Sequence, residues 1–533
     1  MADTPLLVVG GRTTGLMMSS ELARRGVPVR IIDKSPGIDP HVRANLLHSR
    51  TLEIFLGLGI DEQATEGSFA EEGVRIYANK QLKGTLRHEP IDSPYPFGMS
   101  QSQAHTEFVL ERHLNAQGVH VERNVELTAI RQGQDRVSAT VRHADGKEEI
   151  LETPWLIGCD GAHSTTRHLT GCAFPGDRDP YPYVLADVIV QGELEDHESY
   201  LFLHDEGDLF IFSTLPERRR LVCANMPPDR KTAEPPTLEF MQSLVNRRGL
   251  PGLKLSDPRW LINFRINYRL APHYRHGRIF LAGDAAHIHS LVAGQGMNTG
   301  IQDAFNLAWK LALVTGGTVP ESWLDTYESE RRKVGEEVVS MTKTATEEME
   351  LFVKLSATER ERLIAHMFVP ESERLKAARH LQEVDLDYRT SPLSLEGEGV
   401  FNGGPHPGAQ APNVTPIVVN GTKTSLYRFL GGLNFRLLLF SGRKGDCPSK
   451  ELDAACRGAA RHNNWIDVCV VTTERKPELE SLAWVTRIED PSGSFHDRFG
   501  VEEPSLYLLR PDGYVAFRSQ RLDSLDSFLD QVL

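Results

Sequence analysis

The sequence predicts an α/β protein of several domains, and three observations carry that reading. An alternating strand–helix–strand unit opens the chain. A run of short β-rich segments occupies the stretch between about Cys172 and Leu270. A separate βαβ…ββα order follows a Pro/Gly-rich segment near residue 400. At 533 residues the chain exceeds what one hydrophobic core supports, in keeping with two or three domains.

Taken in order, Leu6–Val9 reads as a buried strand, Gly15–Gly26 as an amphipathic helix and Pro28–Asp33 as a second strand. Glu107–Leu114 has helical periodicity. Val137–Arg142 and Glu148–Leu156 alternate around Asp145-Gly146 as a hairpin does. Tyr183–Gln191, Tyr200–His204, Leu209–Ser213 and Leu221–Ala224 then follow one another with turn residues between them, predicting an antiparallel sheet. Helical periodicity returns at Met297–Leu313 and dominates to about Leu381. Asn402–Pro416 reads as a linker. Beyond it, Phe435–Phe440 and Trp465–Thr472 read as strands, and Lys450–Arg461 and Ser524–Leu533 as helices. Leu506–Arg518 reads as a hairpin turning at Pro511-Asp512-Gly513. This order is thioredoxin-like but has no CxxC.

A net charge of -14 argues against non-specific nucleic-acid binding, which needs a basic surface. The apolar run at the amino terminus is short, lacks a basic region and breaks at Gly10, so it reads as a strand and not a signal peptide. No later stretch is apolar enough to span a bilayer. The six cysteines are scattered and carry no metal spacing; free thiols in a reducing cytoplasm are the expectation, and no metal is expected.

Three motifs carry chemistry. Gly10-Gly11-Arg12-Thr13-Thr14-Gly15 lies between the first strand and helix, in the place of a dinucleotide-binding GxGxxG, with Asp33-Lys34 at the end of the second strand. Glycines permit the tight turn, the helix amino terminus attracts a pyrophosphate, and Asp33 can accept from a ribose hydroxyl. The second motif is Asp160-Gly161-Ala162-His163-Ser164-Thr165-Thr166-Arg167, directly after an apolar strand, where Ser164 can cap a short helix. The third is Gly283-Asp284 after Arg278–Ala282, followed by Gly294-Gln295-Gly296 and a helix opened by Met297-Asn298. A strand-end carboxylate beside a helix amino terminus suits a polyol and an anion.

In this order and spacing the motifs resemble the class A flavoprotein monooxygenases, the family of para-hydroxybenzoate hydroxylase, phenol hydroxylase and the aromatic polyketide hydroxylases. The resemblance runs from the amino terminus to about Gly335, including Tyr327-Glu-Ser-Glu330-Arg331, and the thioredoxin-like tail matches the phenol-hydroxylase and polyketide-hydroxylase branch. It implies a Rossmann-like FAD-binding domain over 1–172, with part of the substrate lobe near 73–105. It further implies a β-sheet substrate lobe over 173–272, completion of the FAD-binding domain and a helical region over 273–400, a linker over 401–416 and a thioredoxin-like domain over 417–533.

Carried over residue by residue, the resemblance implies FAD binding by Gly10, Gly11, Arg12, Thr14, Gly15, Asp33 and Lys34 at the pyrophosphate and ribose. Arg43 would reach the flavin region, Gln103 the ribityl chain, and Leu127 would pack near adenine. Asp160 would serve both FAD and NAD(P)H. Gly283 and Asp284 would bind the ribityl hydroxyls, and Gly294, Gly296, Met297 and Asn298 would border the flavin ring, with the Met297 and Asn298 amides at its N1 and O2. No catalytic acid, base or nucleophile can be named; His163, His287 and His289 read as packing or capping residues.

The departures from the family pattern concentrate at the flavin. Arg12 replaces the glycine at closest phosphate approach, although a guanidinium can itself donate to a pyrophosphate. Leu291, Val292 and Ala293 replace the usual proline, alanine and first glycine, bulk expected to narrow the space where oxygen adds. Two enzymatic readings follow. The first is an NAD(P)H-dependent monooxygenase that oxygenates a hydrophobic aromatic or polyketide substrate through a flavin C4a-hydroperoxide. The second is a redox-neutral, decalin-forming [4+2] cyclase of antibiotic biosynthesis that keeps FAD for structure and acts by holding the substrate in a reactive geometry. A flavin-free binding protein is a third reading, against which the intact Asp160 and Asp284 motifs argue. The tail is assigned a structural or association role, which admits a homodimer.

Overall fold

The structure, a computed structural model, describes residues 4–42, 44–204, 209–229, 234–291, 294–351, 355–368, 370–443, 447–474 and 476–533. Its first layer is a six-stranded sheet in the order Arg275–His276, Ile279–Leu281, Leu156–Gly158, Leu6–Val9, Val29–Asp33, Val121–Arg123. All pairs are parallel except the first. These strands are short and apolar because both faces are covered, as parallel sheets require. Helices Thr13–Arg24 and Gln295–Thr315 pack on one face around Leu6, Val8, Leu16, Ile157, Phe280 and Ile301. The other face carries a three-stranded antiparallel sheet through Leu7, Val9, Ile32, Leu127 and Val141.

The expected hairpin around Asp145-Gly146 pairs Val137–Arg142 with Glu148–Thr153. It stops short of the expected Leu156, because that residue already belongs to the parallel sheet. Alternation reads smoothly through the break, whereas Pro154 lets the chain leave one sheet for the other.

The second layer is an eight-stranded sheet dominated by two long strands, Gly176–Gln191 and Lys254–Leu270. Its pairs are antiparallel apart from Glu198–Leu203 with Gly73–Ala78, so residues from far upstream complete the edge. Successive side chains point to opposite faces. Val184, Ala186, Phe210, Phe212, Val222 and Ala224 bury against Met241, Leu244 and Val245 of helix Leu238–Arg248. Tyr183, Leu185, Leu201, Leu203, Leu221 and Cys223 point to the opposite face, where helix Ala357–Met367 contributes Leu363 and Ile364.

The C-terminal sheet has eight strands centred on Phe435–Phe440, flanked by Ile466–Thr472 and Ser505–Leu509. The Pro/Gly-rich stretch that reads as a linker runs along this sheet. Gly408 N donates to Val515 O at 2.8 Å, Ala411 N to Gly513 O at 2.9 Å, and Gly408 O accepts from Tyr388 N at 2.8 Å. Gly408 adopts φ +90°, and a Cβ there would strike the backbone at Arg389, so glycine is what permits the close approach.

Candidate functional site

The register of the parallel sheet gathers the three motifs. Val9 pairs with Gly158, Gly158 with Leu281, and Val9 with Ile32. One transverse row of the sheet therefore ends where the glycine loop, Cys159-Asp160, Ala282-Gly283 and Asp33 begin. Open α/β sheets place ligands outside the carboxyl ends of their strands for this reason: each chain leaves the sheet in a turn followed by a helix amino terminus.

The glycine loop is tight. Gly10 has φ +108°, and a Cβ on it would overlap the Cys159 carbonyl oxygen. A Cβ on Gly15 would overlap the Gly10 carbonyl oxygen. Arg12 has φ −103° and ψ −170°, an extended backbone any residue adopts, and lies at the cap position of helix Thr13–Arg24 without capping it. Its guanidinium meets Asp39 at 3.0 Å. Gly11 N donates to Asp33 Oδ2 at 2.5 Å, and the other oxygen of Asp33 accepts from Ser35 N at 2.6 Å; Lys34 beside it is exposed.

Asp160 accepts from Ser164 Oγ at 2.5 Å and Thr166 N at 2.8 Å, tying off the short helix Thr165–Leu169. Ser164 caps that helix through Arg167 N, as its position implies. Arg167 then joins the second motif to the third. It donates to Ala162 O and Ala285 O, both at 2.9 Å, and stacks 3.8 Å above Phe174. In the sequence Arg167 is only the last residue of its motif, because its bridging partner lies 118 positions away.

Gly283 turns at φ +59° with Thr14 packed over it, where a Cβ would come within 2.6 Å of Thr14 Oγ1. Asp284 is the exposed residue of an otherwise buried turn. Gly294, at φ +65°, starts helix Gln295–Thr315 with no side-chain cap and no acid in its first turn. Met297 lies in that first turn, and first-turn amides have no partner within their own helix and suit negative charge. Gln295 Oε1 is buried with no partner among the described residues. The Asn298 side chain is committed elsewhere, donating to Leu46 O at 2.9 Å and accepting from His48 N at 2.9 Å. His289 lies 3.5 Å from where a Gly296 Cβ would be, and burial pushes its pKa down to about 4.

Two further groups face this region without having been singled out. Glu107 is 1% exposed; Gln103 Nε2 donates to its Oε1 at 2.7 Å, while its Oε2 has no partner among the described residues. Burial raises its pKa, against the pull of Arg12 and Arg123. Asp303 accepts from Gly283 N at 3.0 Å and His287 Nε2 at 2.8 Å, and from Arg331 Nε at 2.7 Å. Burial works to raise its pKa, but Arg331 and His287 hold it below the usual range. No local pattern marks these residues; a carboxylate inside a helix reads as solvated until its neighbours are known.

Of the remaining expected residues, Leu127 is buried in the core beneath the sheet with Leu7, Val9 and Ile32. Arg43, Val292 and Ala293 lie outside the described residues. Leu291 packs against a buried cluster of the large sheet that contains Tyr183, Ile266, Tyr268 and Ile364.

Residues 3–342 match the model of the FAD binding domain family. The chain belongs to this family of FAD-binding enzymes. It is 32% identical to 6-methylpretetramide 4-monooxygenase of Streptomyces rimosus over 539 residues, covering 98% of this chain and 92% of that one. Among solved structures, the complex of aklavinone-11 hydroxylase with FAD and aklavinone superposes with a TM-score of 0.78 at 25% identity, covering 100% of this chain and 99% of that one. The Diels-Alderase PyrE3 of pyrroindomycin biosynthesis superposes at 0.74 and 26% identity, with the same coverage. The α/β class, the Rossmann-like domain and the FAD requirement expected from the sequence accordingly stand. The chain is an enzyme of the flavoprotein monooxygenase type.

The residues present fit FAD. Two positions of the glycine loop exclude any Cβ, two long helices open with uncapped amino termini, and a buried amide oxygen, Gln295 Oε1, awaits a donor. Among the described residues, no helix is long and apolar enough to cross a membrane.

Proposed function

We propose that this chain is an NAD(P)H-dependent FAD monooxygenase that hydroxylates a polycyclic aromatic, polyketide-type substrate. One observation carries the reading: the segment that leads from the Gly283-Asp284 turn to helix Gln295–Thr315 packs, through Leu291, on the same face of the large sheet that presents Trp260, Ile262 and Phe264. These three are half-buried, and their neighbours Leu185, Leu215, Leu221 and Val42 are buried. Cofactor edge and apolar wall thus share one segment, and a flat hydrophobic molecule lying on the wall meets the cofactor at its rim.

In this reading Gly10, Gly11 and Gly15 admit the pyrophosphate to the amino terminus of helix Thr13–Arg24. Asp33 takes the ribose, Asp284 the ribityl hydroxyls, and the Met297 amide stabilises charge at the pyrimidine end of the ring. Bound FAD, reduced by NAD(P)H, supplies the electrons that activate dioxygen. The protein contributes orientation and the exclusion of water by the apolar wall. The names of the relatives, a 6-methylpretetramide 4-monooxygenase and an aklavinone-11 hydroxylase, support the substrate class.

A second reading, a redox-neutral cyclase, draws on the similarity to PyrE3 and on the bulk at Leu291. One experiment separates the two. The yellow protein is mixed with NADPH and a panel of linear and angular polycyclic phenols, in air and under argon. Substrate-stimulated bleaching with an oxygenated product in air bears out the monooxygenase. Conversion of a linear polyene under argon without NADPH, and no bleaching by any phenol, would falsify it.

A further inference from the structure

The helical segment after Asp325 is interrupted by a π-turn at Glu328–Arg332. Such turns re-aim side chains within a helix. Two successive residues there, Glu330 and Arg331, are buried ions with different partners. Glu330 accepts both terminal nitrogens of Arg510, at 2.7 and 2.8 Å, together with Lys310 Nζ at 2.8 Å and Asn306 Nδ2 at 2.7 Å. Arg510 belongs to the hairpin turn of the C-terminal sheet, where Asp512 accepts from its Nε at 3.0 Å and its Nη2 at 2.6 Å.

Arg331 serves the other side. It donates to Asp303 Oδ1 at 2.7 Å, to Thr299 O at 3.1 Å and to the Tyr388 hydroxyl at 2.9 Å. The Tyr388 ring is in turn gripped by the C-terminal sheet, 4.4 Å from Tyr514 by centroid and 5.2 Å beneath the Arg510 guanidinium. Asp303 closes the path, because its second oxygen holds Gly283 N and His287 Nε2.

We propose that Arg510 and Tyr388, supplied and clamped by the C-terminal sheet, are positioning residues for the Gly283-Asp284 turn. They fix Arg331, Arg331 fixes Asp303, and Asp303 holds the Gly283 amide at the start of the turn that carries Asp284. A buried arginine with three acceptors has one orientation; with one acceptor removed it gains others, and each displaces Asp303. The thioredoxin-like sheet, which has no CxxC, thereby acquires a part in the cofactor site. This inference rests on the reading that Asp284 contacts FAD.

The test uses full-length Tyr388→Phe and Arg510→Lys. FAD affinity is measured by fluorescence quenching on the stripped proteins, the visible circular dichroism of the bound flavin is recorded, and stripped protein is melted in parallel. Tyr388→Phe removes one hydrogen bond and should weaken FAD binding by about fivefold. It should also change the flavin dichroism, which a purely structural role of the tyrosine would leave alone. Arg510→Lys, which replaces a fork with a point donor, should act in the same direction. Wild-type affinity and dichroism in both variants, whatever their melting temperatures, overturns the inference; if Arg510→Lys does not fold, Tyr388→Phe decides alone. A wild-type protein that takes up no FAD overturns the cofactor reading itself, a distinguishable failure.

Discussion

Gly15→Ala, set beside Arg12→Gly, tests whether the glycine loop works by close packing. A Cβ on Gly15 would overlap the Gly10 carbonyl oxygen and lie 3.0 Å from the Gly10 carbonyl carbon and 3.3 Å from Cys159 Cβ. The two nearest atoms are backbone, so no rotamer change relieves the contact. Helix Thr13–Arg24 must move instead, and it is packed against helices Gln295–Thr315 and Gln103–Asn115. Overpacking of this kind costs about 1–3 kcal/mol. If the strain is met only when FAD holds the loop closed, affinity falls by roughly 5- to 150-fold. If it is met in the free protein as well, the melting temperature falls by about 1 °C for each kcal/mol, since the unfolding entropy that sets the shift grows with chain length.

Arg12→Gly should behave differently, although it restores what the family pattern would call the better residue. The backbone at Arg12 is already extended, so nothing is strained there to relieve. The change removes one ion pair with Asp39, between side chains 33% and 16% exposed. Such a pair contributes about 0–1 kcal/mol after solvent screening. FAD titration and thermal melts of both stripped variants check the pair of expectations. Gly15→Ala with wild-type affinity and melting temperature, or Arg12→Gly with affinity abolished, would refute the packing argument.

Three further outcomes follow from the same geometry. Asp284→Asn should weaken FAD binding by about tenfold, the loss of a charged hydrogen bond; wild-type affinity in the titration counts against its assignment. Trp260→Ala should raise KM for the aromatic substrate while leaving FAD affinity unchanged, because the indole stacks on His41 at 4.9 Å in the wall; an equal loss of FAD would place Trp260 at the cofactor. Glu383 accepts from Thr299 Oγ1 and Gln302 Nε2, and burial raises its pKa to about 7. A carboxyl raised above its unfolded value contributes stability that is complete below about pH 4.5 and is lost as pH rises through about 7. The melting temperature of Glu383→Gln should therefore gain on wild type between pH 5 and 7 and then run parallel to it, and a pH-independent difference would remove the argument.

The parallel sheet was legible because its strands are apolar runs bounded by glycine motifs, and those motifs follow one register row, Val9–Gly158–Leu281. The long strand Lys254–Leu270 was not legible. Its residues alternate Trp260, Ile262, Phe264 with Asn263, Arg265, Asn267, but Asp257-Pro258 interrupts the run as a turn would, and Asp257 indeed has φ +48°. The strands Gly73–Ala78 and Gln81–Arg87 were obscure for another reason. They complete a sheet through Glu198–Leu203, 125 positions on from Gly73–Ala78, so their burial depends on a partner that no local window contains. The same holds for Asp303 and Glu330: each sits in helical periodicity as an ordinary polar position, and only Arg331 and Arg510 turn it into a buried ion.

The loop departures acquire a different weight once Leu291 is placed. Read along the chain, leucine in place of proline next to the flavin suggested a side chain filling the oxygen site. In the fold that side chain packs into the cluster of Tyr183, Ile266, Tyr268 and Ile364. Close-packed interiors do not let one isobutyl group occupy two sites. The bulk of Leu291 lies against the large sheet, and Gly294 beyond it still turns at φ +65° into a helix without a side-chain cap. Leu291 thereby ties the segment after the Gly283-Asp284 turn to the face of the large sheet on which the proposed substrate would lie, while Val292 and Ala293 lie outside the described residues.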